Sequence, residues 1–85
     1  MPTVKLYASL RKLAGTKELP ITGATVEAVV NELAQQHPPV GAVMLENGEL
    51  RRHIIVTLNG HHITDLATLV AEQDIIAIFP PVAGG

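Results

Sequence analysis

Only one stretch of the chain repeats its apolar residues over several turns at helical spacing, and that limits the architectures open to it. Val26, Val29, Val30 and Leu33 fall at i, i+3, i+4 and i+7, a single stripe along one side of a helix. Thr25 is placed to cap this helix and Glu27 in its first turn suits the dipole, although Ala28 stands where a full capping box would carry Glu or Gln. His37 precedes Pro38, so "HPP" ends it. A lone striped helix must lay its apolar side on a sheet.

The remaining apolar runs have strand character. In "TVKLYASL", Val4, Leu6 and Ala8 alternate with Lys5, Tyr7 and Ser9, giving a first strand with one buried face. "RKLAGTKELPIT" places Gly15 and Thr16 before a second alternation at Leu19 and Ile21, which predicts a hairpin. "VGAVMLENGELRR" has an Asn47-Gly48 turn and no sustained period, and reads as a connection. "HIIVTLNG" is the strongest strand; the run Ile54, Ile55, Val56 predicts burial on both faces and a central position. Asn59-Gly60 turns it toward a short strand at "HHI", and "TDLATLV" reads as one helical turn capped by Asp65. "DIIAIF" is the final strand, also apolar on both sides. No internal repeat or linker interrupts the order.

Composition narrows the function classes. A single domain of 85 residues buries only roughly 60–65% of its unfolded surface and leaves little room for an enclosed cavity, which argues against a self-sufficient enzyme. Hydrophobic residues make up 47% of the chain, yet Tyr7 and Phe79 are the only aromatics, so a base-stacking nucleic-acid groove is not expected. Cysteine is absent, which excludes disulfides, thiolate metal sites and a cysteine nucleophile. The histidines His37, His53, His61 and His62 have no acid or cysteine completing a ligand set, so no metal site is assigned. Ser9 and Thr57 lie in strand patterns without a nearby base and read as structural.

Net charge is −2, with Lys5, Arg11, Lys12 and Lys17 all preceding the first acid, Glu18. That basic first segment reads as a solvated surface, with an acidic partner as the alternative. Neither a signal peptide nor a membrane span is evident, and the chain reads as cytoplasmic.

One helix across a mixed sheet, with the first and last strands as central neighbours, is the β-grasp architecture: an α+β fold with a mixed sheet packed on one main helix. The segments "KLYASLRKLAG", "GATVEAVVNEL", "VTLNG" and above all "IAIFPPVAGG" resemble the MoaD and ThiS family of ubiquitin-like sulfur carriers almost end to end. The final segment is most similar to the small subunit of molybdopterin synthase. Two departures stand out. "LENGELRRHI" lengthens the connection before the central strand, as in carriers that supply sulfur for cysteine synthesis, and "EQD" at 72–74 replaces a glycine turn.

The resemblance implies a β-grasp domain over residues 1–80 and a flexible Gly-Gly tail over 81–85. The carboxylate of Gly85 would carry the sulfur as a thiocarboxylate, after adenylation by a ubiquitin-activating-type adenylyltransferase. No bound cofactor is implied, because the activating partner consumes the ATP. The chain would be the non-catalytic, sulfur-carrying subunit, and the large subunit of molybdopterin synthase, or another sulfur acceptor enzyme, would supply the catalytic side chains. A protein modifier attached to lysines is the alternative from a different class, and an interaction module with an inert tail is a third. No nucleic-acid or membrane partner is implied.

Elementary chemistry agrees with this use of the tail. A carboxylate is a poor electrophile until activated, and Gly84 and Gly85, lacking Cβ atoms, permit close backbone approach inside a narrow site. Pro80 and Pro81 have no N–H and should end the sheet ladder, projecting Val82, Ala83, Gly84 and Gly85 away from the body. Pro81 to Gly85 spans at most ~17 Å. Phe79, Pro80 and Pro81 at the tail base are the expected partner-binding residues, although a lone Phe in a last strand can equally belong to the core.

Overall fold

A computed structural model of the chain describes residues 1–81. Its elements are β1 (Thr3–Leu6), α1 (Ser9–Ala14), β2 (Glu18–Pro20), α2 (Val26–Gln36), α3 (Pro38–Met44), β3 (Leu45–Glu46), β4 (Glu49–Leu50), β5 (Ile55–Leu58), β6 (His61–His62) and β7 (Ile75–Phe79). Five strands form one mixed sheet in the order β2-β1-β7-β5-β6, and β3 and β4 form a separate two-stranded hairpin. The first and last strands are indeed central neighbours: β7 runs parallel to β1, with Val4 opposite Ile76 and Leu6 opposite Ile78. On its other side β7 is antiparallel to β5, with Val56 opposite Ile78 and Ile55 opposite Phe79.

The expected stripe makes the main helix. Thr25 is extended, its hydroxyl accepts from the Ala28 N–H at 3.1 Å, and Val26, Val29, Val30 and Leu33 are all buried. They share a core with Val4, Leu6, Val56, Ile76 and Ile78 of the sheet, Leu10 of α1, and Val40 and Met44 of α3. Among the described residues the core holds no buried polar side chain. Each fully buried aliphatic contributes roughly 1.5–3 kcal/mol of transfer free energy.

Several expectations need correction. The first two strands pair antiparallel as expected of "TVKLYASL" and "RKLAGTKELPIT", but their connection is a helix rather than a hairpin turn: β1 stops at Leu6, Ala8 takes φ +51°, and α1 follows before β2. The cause is Leu10, which the helical turn places in the core with no exposure, while Gly15 closes α1 at φ +75° and donates to Arg11 O at 3.0 Å. The supposed connection after His37 contains α3, with Pro38 at its first turn where a missing N–H costs nothing. α3 lies close on α2, since a Cβ on Gly41 would stand 2.8 Å from the Ala34 Cβ. Residues 64–70 form turns and a bridge from Leu69 to Thr25 rather than a helical turn, although Asp65 does cap, accepting from the Ala67 N–H at 2.9 Å.

The largest correction concerns the two apolar strands. Ile55 is 39% exposed and Ile75 is 40% exposed, so β5 is not buried on both faces, and β7 is so only at its middle, where Ala77 is buried between Ile76 and Ile78. All three helices feed one core on one side of the sheet, and among the described residues no layer covers the other side. The centre belongs to β7, while β5 stands between it and the edge strand β6.

Candidate functional site: the open sheet face at the end of β7

β7 is hydrogen-bonded on both sides, so the backbone at its exit is held by two neighbours. Strand pairing ends at Phe79, and the chain continues into half-buried Pro80 and exposed Pro81, as expected from two residues that cannot donate to a ladder. Val82, Ala83, Gly84 and Gly85, the expected tail and sulfur-bearing end, lie outside the described residues.

Alternation along β7 sends Ile76 and Ile78 into the core and Phe79 to the open face. Phe79 is half-buried and absent from the core cluster. Tyr7, immediately after β1, stacks on it with ring centroids 4.5 Å apart and planes 16° from parallel. Such a pair contributes about 0.5–1.5 kcal/mol beyond its buried area. Arg11, reaching back from α1, holds its guanidinium 5.8 Å from the Tyr7 ring centre and donates from Nε to Leu6 O at 3.4 Å. Ile55, the register partner of Phe79, completes an apolar patch beside the exit, and Lys5, opposite Ala77, adds a positive charge on the same face.

The structure therefore brings together Phe79, Pro80 and Pro81 from the expected set and adds Tyr7, Ile55 and Arg11, which sequence reasoning missed. One signal was available. Tyr7 and Phe79 are the only aromatics in the chain, and parallel pairing of the first and last strands puts them in the same phase.

The other singled-out residues do not converge here. Asn59 and Gly60 have φ of +51° and +87° and make the turn after β5. The Asn59 side chain donates to Asp74 Oδ1 at 3.0 Å and accepts from the Ile75 N–H at 2.9 Å, at the end of β7 away from Phe79. Asp74 Oδ2 accepts from the Ala71 N–H at 2.8 Å, closing the "EQD" turn without glycine. The Ala71 N–H first, and the Asn59 amide second, hold the Asp74 carboxyl below its ordinary pKa. His53, His61 and His62 are exposed, and among the described residues no three His, Cys, Asp or Glu form a metal-sized cluster. An open groove of about 490 Å³ lies between α2 (Val30, Asn31), the β3–β4 hairpin (Leu45, Leu50) and the β5–β6 region (Ile54, Ile63), and includes none of the expected site residues. Among the described residues no helix is long and apolar enough to cross a membrane.

Known proteins share both the fold and the sequence. The solution structure of small archaeal modifier protein 1 from Methanosarcina acetivorans superposes with a TM-score of 0.89 at 37% identity, over 99% of this chain and 95% of that one. The chain from the Amycolatopsis orientalis BexX/CysO complex superposes with a TM-score of 0.86 at 29% identity, over 100% of both. The molybdopterin synthase sulfur carrier subunit of Haemophilus influenzae is 37% identical over 87 residues, covering 100% of each chain. These likenesses establish the ubiquitin-like β-grasp fold. Since the ThiS family model also matches residues 4–85, from β1 through the terminal glycines, the chain belongs to the ThiS family of ubiquitin-like sulfur carriers.

Proposed function

We propose that this protein carries sulfur on the carboxylate of Gly85 and donates it in molybdopterin biosynthesis as the small subunit of a molybdopterin synthase. The observation that carries this reading is a family match running through Gly85 on a chain whose central strand passes directly into "PPVAGG". In the first step the carboxylate attacks the α-phosphate of ATP within a ubiquitin-activating-type adenylyltransferase, releasing pyrophosphate and leaving an acyl-adenylate. A sulfide equivalent then attacks the activated carbonyl and AMP departs, leaving the thiocarboxylate. The large subunit supplies the groups that direct this sulfur onto the pterin precursor.

Within this scheme the tail base and the tail itself have separate tasks. Phe79, braced by Tyr7, offers the partner a fixed apolar surface, while Val82, Ala83, Gly84 and Gly85 enter the partner's site. Correct placement there carries much of the rate, because effective concentrations depend on reacting atoms held about 3–3.5 Å apart.

A second reading shares this activated end. The likeness to a small archaeal modifier protein and to a CysO that assembles with BexX supports attachment to protein lysines, or sulfur delivery to another metabolite. Intact mass of the protein from its own host separates the outcomes. Replacement of one terminal oxygen by sulfur supports the carrier, and a covalent adduct with another chain supports the modifier. Sulfur transfer to the pterin precursor in the presence of the large subunit then tests the acceptor, and failure there with the thiocarboxylate intact turns the assignment to another metabolite.

A further inference from the structure

The chain contains two Asn-Gly turns, and the structure treats their asparagines differently. Asn47-Gly48 joins β3 to β4 with φ of +55° and +80°, and Asn59-Gly60 joins β5 to β6 with φ of +51° and +87°. The backbone φ values are nearly the same. Asn59, however, has its amide engaged at both ends, by Asp74 Oδ1 at 3.0 Å and by the Ile75 N–H at 2.9 Å, and its turn belongs to the five-stranded sheet. The Asn47 side chain is exposed and makes no hydrogen bond among the described residues. Its hairpin has two residues per strand and pairs with no other strand, a size that is marginal by itself. The cross-strand pair nearest the turn is Glu46 opposite Glu49, two like charges face to face. The anchors lie at the base, where the Arg51 N–H donates to Met44 O at 2.8 Å, the Arg51 guanidinium donates to Ala42 O at 3.3 Å, and Leu45 and Leu50 pack against the core, so that the turn end at Asn47 is the part held least.

We propose that Asn47 is a site of spontaneous deamidation, with water as co-reactant, and that the Asp74 clamp protects Asn59 from the same reaction. The Gly48 amide nitrogen loses its proton to base and attacks Asn47 Cγ. A C–N bond forms, the protonated base returns the proton to Nδ2, the Cγ–Nδ2 bond breaks, and ammonia leaves. Water then opens the succinimide at either carbonyl, giving aspartate or isoaspartate at position 47. Glycine at position 48 leaves the attacking nitrogen unshielded, and the reaction needs the turn to open, which a weakly held hairpin does most readily. Either product adds a third carboxylate beside Glu46 and Glu49, and isoaspartate also lengthens the backbone by one carbon, on the element that forms one wall of the open groove.

The test is a time course on the full-length folded protein at mildly alkaline pH. Peptide mapping by mass spectrometry, with fragmentation that separates aspartate from isoaspartate, follows Asn31, Asn47 and Asn59, with urea-unfolded protein as the reference. Modification of Asn47 is expected to be about tenfold or more faster than at Asn59 in the folded chain, the two converging in urea. Asp74→Ala should raise the rate at Asn59 severalfold relative to Asn47. Equal rates at the two sites in folded wild-type protein overturn the proposal, as does a folded Asn47 that stays intact while the unfolded one reacts. An unchanged Asn59 in folded Asp74→Ala overturns the protective role of the clamp.

Discussion

The two faces of the five-stranded sheet are made by alternate residues of the same strands, yet they do different things. On the helix side Val4, Leu6, Val56, Ile76 and Ile78 are at most 1% exposed. On the other side Ile55, Ile75, Phe79 and Tyr7 remain partly open, and the last two are held by each other rather than by a core. An apolar row without a covering layer gives up part of the stabilisation it could have gained, and such exposed patches mark interaction surfaces when they gather. Here Ile55, Phe79 and Tyr7 gather where the chain leaves the sheet, while Ile75 stands at the other end of β7. One face stabilises the domain, and the other is left without a covering layer among the described residues.

The largest expected effect lies beyond both faces. One residue appended after Gly85 should abolish ATP–pyrophosphate exchange with the activating enzyme while thermal unfolding stays at the wild-type midpoint, because the core of the described residues is complete by Ile78. Wild-type exchange by the extended protein would break the division between a stabilising body and a reactive end. On the covered face, Ile78→Ala should cost roughly 2–5 kcal/mol in denaturant unfolding, as a buried aliphatic truncation does. A loss well under 1 kcal/mol, on the order of a surface change, would mean that this face is not the stabilising one.

The open face gives a smaller and differently distributed effect. Phe79→Ala should weaken binding to the sulfur acceptor subunit by more than about 1 kcal/mol and reduce folding stability by less than the roughly 3–5 kcal/mol typical of a buried Phe. Calorimetric binding and chemical unfolding on the same preparation decide it, and a core-sized stability loss with affinity intact would return Phe79 to the core.

The smallest effect concerns the far end of β7. Asp74 has a folded-state pKa below its ordinary 3.8, through the Ala71 N–H and then the Asn59 amide. A depressed carboxyl contributes stability that is present above the unfolded value and is lost as pH falls through the folded one. Asp74→Asn should therefore flatten the acid limb of the thermal midpoint, measured from about pH 5 down to about pH 2, and change little at neutral pH beyond a constant offset. An acid limb identical to wild type would remove Asp74 from the account.

Much of the fold was legible because it rests on local signals. The α2 stripe, its Thr25 cap, both Asn-Gly turns and the stop at Pro80 depend on residues within a few positions of one another. α1 was not legible. Its six residues carry one fully buried side chain, Leu10, too little to set a period. α3 was hidden for a similar reason, since its buried apolar side chains, Val40 and Met44, make a single i, i+4 pair in seven residues, too little to set a period. The site was half legible. Motif and proline chemistry pointed to Phe79, Pro80 and Pro81, but Tyr7, Arg11 and Ile55 join them from segments far away in sequence.

By itself the sequence determined a ubiquitin-like β-grasp chain with an aliphatic core, no cysteine, and two prolines ahead of a pair of glycines, because periodicity, composition and backbone stereochemistry are properties of neighbouring residues. Tertiary structure alone decided which of two apolar strand faces would be covered. Runs such as Ile54, Ile55, Val56 and Ile75, Ile76 are apolar at every position, so alternation cannot say which face the helices take. The answer came from the register that sets Ile55 opposite Phe79 and from three helices sharing one side, a choice made by long-range packing.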